Sequence, residues 1–233
     1  MSHSIKKLGF TIIELMLAMS FVSLLLVAVA MTVIQISNIY NRGIILKDVN
    51  QAGRALVSEL QQSIAQTSAF DVGAGNTINY RDQSGIGGRL CTGQYSYIWN
   101  YANAANNDSR NKYDGLSKPN IYFIKIFDPT LIYCTLTSLG GLSNVDPDKG
   151  AIEIFSDSQH NLALHSFKIT SGVNDAKTNQ RLYNIEFVLG TSDTGAIDSG
   201  SNTCKPPSEE KSDFTYCSIN QFNLTVRSGN AID

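Results

Sequence analysis

The chain has 233 residues, is 42% hydrophobic and 9% aromatic, and carries a formal charge of −2. That length allows one small globular domain beside a membrane segment. The slightly acidic balance argues against a nucleic-acid partner, which needs a basic patch.

The first informative stretch is Lys6-Lys7-Leu8-Gly9-Phe10-Thr11-Ile12-Ile13-Glu14-Leu15, followed by a long apolar run. From Leu15 to Asn41, 27 residues pass without one Asp, Glu, Lys or Arg. A membrane-spanning helix needs about 20 apolar residues. A secretory signal peptide has a shorter apolar region and no Glu inside it. A plain signal anchor, with Lys6 and Lys7 retained in the cytoplasm, explains the topology but not Glu14. A carboxylate at the mouth of such a segment is costly in hydrocarbon and points to function.

Gly9-Phe10-Thr11-Ile12-Ile13-Glu14-Leu15 resembles the processing and methylation motif of type IV pilins and their relatives. The resemblance covers about the first 40 residues and is specific. It implies a leader, residues 1–9, removed by a membrane-embedded prepilin peptidase that cuts between Gly9 and Phe10. It implies N-methylation of Phe10 and an assembly role for Glu14, the fifth mature residue, which pairs with the N-terminal amine of a neighbouring subunit. Opposite charges at a low-dielectric boundary attract by several kcal/mol before desolvation is counted. The implied partners are the peptidase, other pilins met through the N-terminal helix, the inner membrane and its assembly platform. The implied location is the bacterial inner membrane, with the N-terminus cytoplasmic, and then a pilus or pseudopilus on the exoplasmic side.

The apolar run passes into an amphipathic pattern. Ile36, Ile39, Tyr40, Leu46, Val49, Leu56, Val57, Leu60 and Ile64 recur at three- and four-residue spacing, with polar residues between them. No Pro precedes Pro119. Family members often carry a helix-bending Pro in the apolar half, and this chain departs from them there. One continuous helix is expected from Phe10 to Gln66. Residues 10–41 form its membrane or filament-core half and residues 42–66 an amphipathic half laid against a globular domain, 67–233. Gly43 and Gly53 interrupt this helix, each costing up to about 1 kcal/mol relative to Ala; close helix packing explains them best.

Beyond Ser68 the helical period ends. Gly73, Gly75, Gly85, Gly87 and Gly88 predict a loop-rich connection, and residues 103–114 a second polar stretch. Strands are predicted at Tyr95–Tyr101, Ile121–Phe127, Leu131–Leu136, Ala151–Phe155, Leu162–Thr170, Leu182–Leu189 and Phe222–Arg227. Asp128-Pro129 reads as a hairpin connection, and Thr191 to Glu210 as a long surface loop. The strand pattern gives an α+β fold with an antiparallel sheet. A pilin-like packing of the helix on that sheet is what the resemblance implies. Leu164–Ile169, Phe222–Ser228 and Asn50–Leu56 are loosely similar to PilW-type minor pilins and J-type pseudopilins of type II secretion.

With Lys6 and Lys7 inside, the domain lies in an oxidising compartment. Cys91, Cys134, Cys204 and Cys217 then form two disulfides, of three possible connectivities. Cys204–Cys217, which closes a short loop, and Cys91–Cys134, which joins the middle segments, are favoured. No CxxC pair or Cys/His cluster has zinc spacing.

No enzyme motif is evident, and no catalytic residue, cofactor or metal is expected. Gly85-Ile86-Gly87-Gly88 lacks the Lys-Ser/Thr of a phosphate loop. His160 and His165 read as surface and strand residues, and His3 leaves with the leader. Thr191–Asp198 offers oxygen ligands without EF-hand spacing, so a solvated loop is favoured over calcium. Asn107-Asp108-Ser109 and Asn223-Leu224-Thr225 match a glycosylation pattern too common to weigh. Tyr95–Tyr101 is read as a strand with one buried face rather than a sugar- or base-stacking surface. The expected function is that of a minor pilin. The alternatives are a J-type pseudopilin, a pilus-borne adhesin or DNA-uptake subunit, and a membrane-anchored enzyme.

Overall fold

The computed structural model describes residues 11–73, 78–83, 85–102, 123–135, 150–155, 162–175, 177–193, 195–198, 201, 203–210, 212–213 and 215–229. The chain divides into two units, Met1–Asn41 and Arg42–Asp233. The secondary structure is α+β, with a long N-terminal helix, α1 (Ile12–Ala65), and antiparallel sheets.

In the first unit, residues 12–41 are helical throughout, and every described apolar side chain from Ile12 to Tyr40 is exposed, Leu24 by 73%. Among the described residues α1 is the one helix long and apolar enough to cross a membrane. Its expected start at Phe10 lies outside the described residues. Leucine, methionine and alanine side chains favour helix here, and no Pro interrupts it.

In the second unit, α1 buries Ile45, Val49, Gly53, Leu56, Leu60, Ser63 and Ile64, one face at three- and four-residue spacing. Val49, Leu56, Leu60 and Ile64 belong to the predicted stripe. Leu46 belongs to that predicted stripe too but is not buried: Ile45 turns inward in its place and Leu46 stays exposed. Ile44-Ile45-Leu46 are consecutive apolar residues, so periodicity alone could not choose among them. Val57 is half-buried, and Ile36, Ile39 and Tyr40 are exposed. The helix closes as the Gln66 amide donates to Gln62 and the Thr67 amide to Ile64, each at 3.2 Å.

A five-stranded sheet follows in the order β1 (Tyr80–Gln83), β2 (Gly87–Thr92), β3 (Tyr95–Asn100), β4 (Phe123–Phe127) and β5 (Ile152–Glu153). Between β4 and β5 in sequence lies a short helix, α2 (Ile132–Thr135). A three-stranded sheet takes β6 (Leu162–Asp175), β7 (Gln180–Thr191) and β10 (Ile219–Arg227) in the order β10-β7-β6. A small two-stranded sheet pairs β8 (Ile197–Asp198) with β9 (Thr203–Cys204).

Four expectations are corrected here. The glycine-rich connection around Gly87 and Gly88 is the start of β2, not loop; a Cβ on Gly88 would run into the Trp99 ring, so the close approach of two strands demands glycine. Leu131–Leu136 is not a strand in its described part but the turn and helix α2, because Asp128 caps the first amides of that helix, Ile132 and Tyr133. Asp128-Pro129 accordingly leads into α2 rather than a hairpin. The Thr191–Glu210 loop also contains β8 and β9. Residues 103–114, Ile121, Tyr122 and Leu136 lie outside the described residues. The other predicted strands are found, with β6 running on to Asp175 and β7 and β10 longer at both ends or at the start.

Cross-strand register explains why β2 and β3 are buried on both faces. Leu90, Tyr97 and Lys125 share the α1-facing side, as do Gly88, Trp99 and Phe123. There Glu59 of α1 pairs with Lys125 at 2.6 Å and accepts the Tyr97 hydroxyl at 2.7 Å. The far side carries Arg89, Cys91, Ser96, Ile98 and Ile124, and α2 lies against it through Arg89 and the Cys91–Cys134 disulfide.

An aromatic row crosses both larger sheets. Phe123 stacks on Trp99 at 5.6 Å, Trp99 meets Phe167 at 4.5 Å, and Phe187 and Phe222 continue the row, stacked at 5.1 Å. The row ends where the Phe222 ring covers Gly53. The two sheets join through a Tyr101–Leu164 bridge and the Tyr80 hydroxyl, which donates to the Phe167 carbonyl at 3.2 Å. Occupying the edge of β6 in this way limits further strand pairing there. After α1, the chain is pinned at Phe70, whose ring stacks on Tyr183 and whose amide and carbonyl both bond the Tyr183 hydroxyl at 2.7 Å.

Candidate functional site

The N-terminal end of α1 is built by a reciprocal pair of residues. The Thr11 amide and hydroxyl donate to Glu14 Oε2 at 3.0 and 2.8 Å, and the Glu14 amide donates back to Thr11 Oγ1 at 3.3 Å. This is a capping box, which satisfies helix-terminal amides that otherwise lack partners. The carboxylate also lies where the helix dipole favours negative charge. Glu14 is thus held by its own helix, with its carboxylate turned toward the residue that precedes Ile12. Thr11 is not among the residues that the processing motif singles out, although the Thr-x-x-Glu spacing is itself a capping signal. Gly9 and Phe10, the expected cleavage and methylation residues, lie outside the described residues.

Three hydroxyl groups along residues 12–41 bond back to the helix itself. Ser20 donates to the Leu17 carbonyl at 2.9 Å, Ser23 to Met19 at 2.8 Å, and Thr32 to Ala28 at 2.8 Å. Internal satisfaction of this kind is what an apolar medium requires of polar groups. Glu14 is the one ionisable side chain between Thr11 and Tyr40 with a charge at neutral pH.

Both favoured disulfides are present, Cys91–Cys134 and Cys204–Cys217. The second clamps a small lobe with its own cluster of Ala196, Ile197 and Cys217.

The other candidate residues are placed as follows. Tyr97, Trp99 and Tyr101 are buried and Tyr95 half-buried, so the aromatic stretch offers no stacking surface, and both faces of its strand are covered rather than one. The Lys125 ammonium sits 4.0 Å over the Tyr95 ring. His165 Nε2 lies 3.0 Å from the Thr191 carbonyl, and burial holds its pKa below the ordinary value. His160 and the Asn107 tripeptide lie outside the described residues. In the Thr191–Asp198 stretch, Asp193 accepts the Gly195 amide at 2.8 Å and Asp198 the Ser201 hydroxyl at 2.8 Å, as turn residues do. Thr225 in the second tripeptide donates to Asn184 at 2.8 Å across β10 and β7.

No protein-family model, curated protein or solved structure matches the chain.

Proposed function

We propose that this chain is a minor pilin: a non-enzymatic subunit, cut after Gly9, N-methylated on Phe10 and added through α1 to a type IV pilus-like filament. The observation that carries the reading is Glu14, the one carboxylate in the exposed apolar half of α1, held at the helix start within Gly-Phe-Thr-Ile-Ile-Glu-Leu. Cleavage would leave an α-amine on Phe10, the residue next to Thr11. A carboxylate in hydrocarbon is costly until a cation meets it, and the amine of a docking neighbour would supply that cation. Exchange of the Thr11 contacts for this ion pair would bias two helices toward one axial register. The disulfides accord with an exoplasmic domain.

A J-type pseudopilin of type II secretion shares every step of this mechanism and is the second reading. A pilus-borne adhesin or DNA-uptake subunit loses its best support, since the aromatic stretch that would stack on sugars or bases is buried.

Mass spectrometry of the native protein from the membrane fraction tests the proposal. The expected N-terminus is N-methyl-Phe10, with Glu14→Ala retained in the membrane and depleted from sheared filaments. An intact leader bearing Lys6 and Lys7, in cells with an active prepilin peptidase, would overturn it.

A further inference from the structure

Four cysteines admit three sets of pairs, and the structure surrounds one pair with an uncommon amount of buried polarity. Asp128 is fully buried. Its Oδ1 accepts the Ile132 amide at 2.9 Å, and its Oδ2 accepts the Tyr133 amide at 3.0 Å and the Ser96 hydroxyl at 2.9 Å. From the other end of α2, Arg89 donates from Nη1 to the Tyr133 carbonyl at 2.7 Å and from Nη2 to the Cys134 carbonyl at 2.8 Å. Arg89 is only 2% exposed.

The two buried charges therefore grip one short turn, from its amide end and its carbonyl end. None of these five hydrogen bonds involves a cysteine sulfur. All of them position Cys134, which is joined to Cys91 two residues along β2 from Arg89. Ser96, the register partner of Cys91, also lies 3.5 Å from the sulfur of each cysteine. The turn itself is strained: Leu131 adopts φ of 54°, a conformation that a bulky side chain keeps only where its surroundings over-determine it. Charge-assisted hydrogen bonds are the stronger kind, and here they hold the strained turn in place.

We propose that this polar clip forms before the disulfide and selects Cys134 as the partner of Cys91, leaving Cys204 and Cys217 to pair within their own lobe. A disulfide requires a narrow geometry, so a clip that fixes Cys134 beside Cys91 favours that closure over the other pairings. With oxidised glutathione as the oxidant, one cysteine thiolate attacks its disulfide and releases one reduced glutathione. The second thiolate then attacks the mixed disulfide and releases another. The two cysteines lose two electrons, one glutathione disulfide gains them, and the two thiol protons end on the released glutathiones.

Two measurements on the full chain in detergent micelles test the clip. In Cys91→Ser/Cys134→Ser, whose bridge has a sequence separation of 43, amide hydrogen exchange at Ile132 and Tyr133 is expected to speed up by no more than about a thousandfold, the chain-entropy factor of opening such a loop, and to stay well below the rate of an unstructured chain. Exchange at the rate of an unstructured chain would show that the clip depends on the disulfide and overturn the proposal. In Asp128→Asn, reoxidation in a glutathione buffer with disulfide mapping should close Cys91–Cys134 on the order of ten- to a hundredfold more slowly, as weakened charge-assisted bonds imply. Mispaired Cys91 or Cys134 should accumulate, while Cys204–Cys217 keeps its rate. Wild-type rates and pairing, or equal slowing of both pairs, would refute selection by the clip.

Discussion

Gly43 and Gly53 occupy the same helix and make opposite predictions. A Cβ on Gly43 meets nothing within 4 Å, whereas one on Gly53 would fall within the ring of Phe222. In an exposed helix interior, Gly→Ala is worth about 1 kcal/mol. Gly43→Ala should therefore raise the melting temperature by about 2–4 °C, at the scale for a chain of this size. Gly53→Ala has the same propensity gain, but must displace a ring that ends the aromatic row through Phe187. Overpacking of that kind costs about 1–3 kcal/mol, so the net loss is up to about 2 kcal/mol, or up to about 8 °C. Adding Phe222→Leu should return part of that loss, because the two sites are in contact and their effects do not add. The assay is thermal unfolding of the full chain in micelles, followed by near-ultraviolet circular dichroism; Trp99 is the single tryptophan and sits in the row. If Gly53→Ala melts as high as Gly43→Ala, Phe222 does not press on the helix as the contact requires.

Tyr183→Phe removes the hydroxyl that bonds both the amide and carbonyl of Phe70, and should cost about 1–3 kcal/mol in the same melts, the penalty for buried groups left unpaired. Because burial lowers the pKa of His165, the fold favours its neutral form. Its contribution is complete above the ordinary value of 6.5 and is lost as pH falls through the lower folded value. His165→Gln should flatten that part of the stability profile, measured as melting temperature between neutral and mildly acidic pH. Cys204→Ser/Cys217→Ser opens a bridge of sequence separation 13 and should cost about 3 kcal/mol on the chain-entropy account. Hydrogen exchange should show the loss concentrated in β8 and β9 if that lobe is a local unit.

Much of the molecule is legible in the amino-acid sequence. The apolar run, the absence of proline and the three- and four-residue spacing establish α1, and alternation identifies β4 and β10. Glu14 stands out because a charge in an apolar run is rare, and Thr-x-x-Glu also contains the capping box. These signals are local: each depends on residues within a turn or two, or on the alternation of one strand. The inward choice of Ile45 over Leu46, the need for glycine beneath Phe222 and Trp99, and the helical turn at Ile132–Thr135 are different. In the first two, tertiary packing supplies the deciding contact, as Phe222 does for Gly53; the turn is capped locally by Asp128, which Ser96 holds from β3. Pattern alone specifies which segments must be buried and which are long and apolar enough to cross a membrane. Packing against partners that the linear order does not bring together decides which atom faces which, and the close-packed interior penalises an error of even one methyl group.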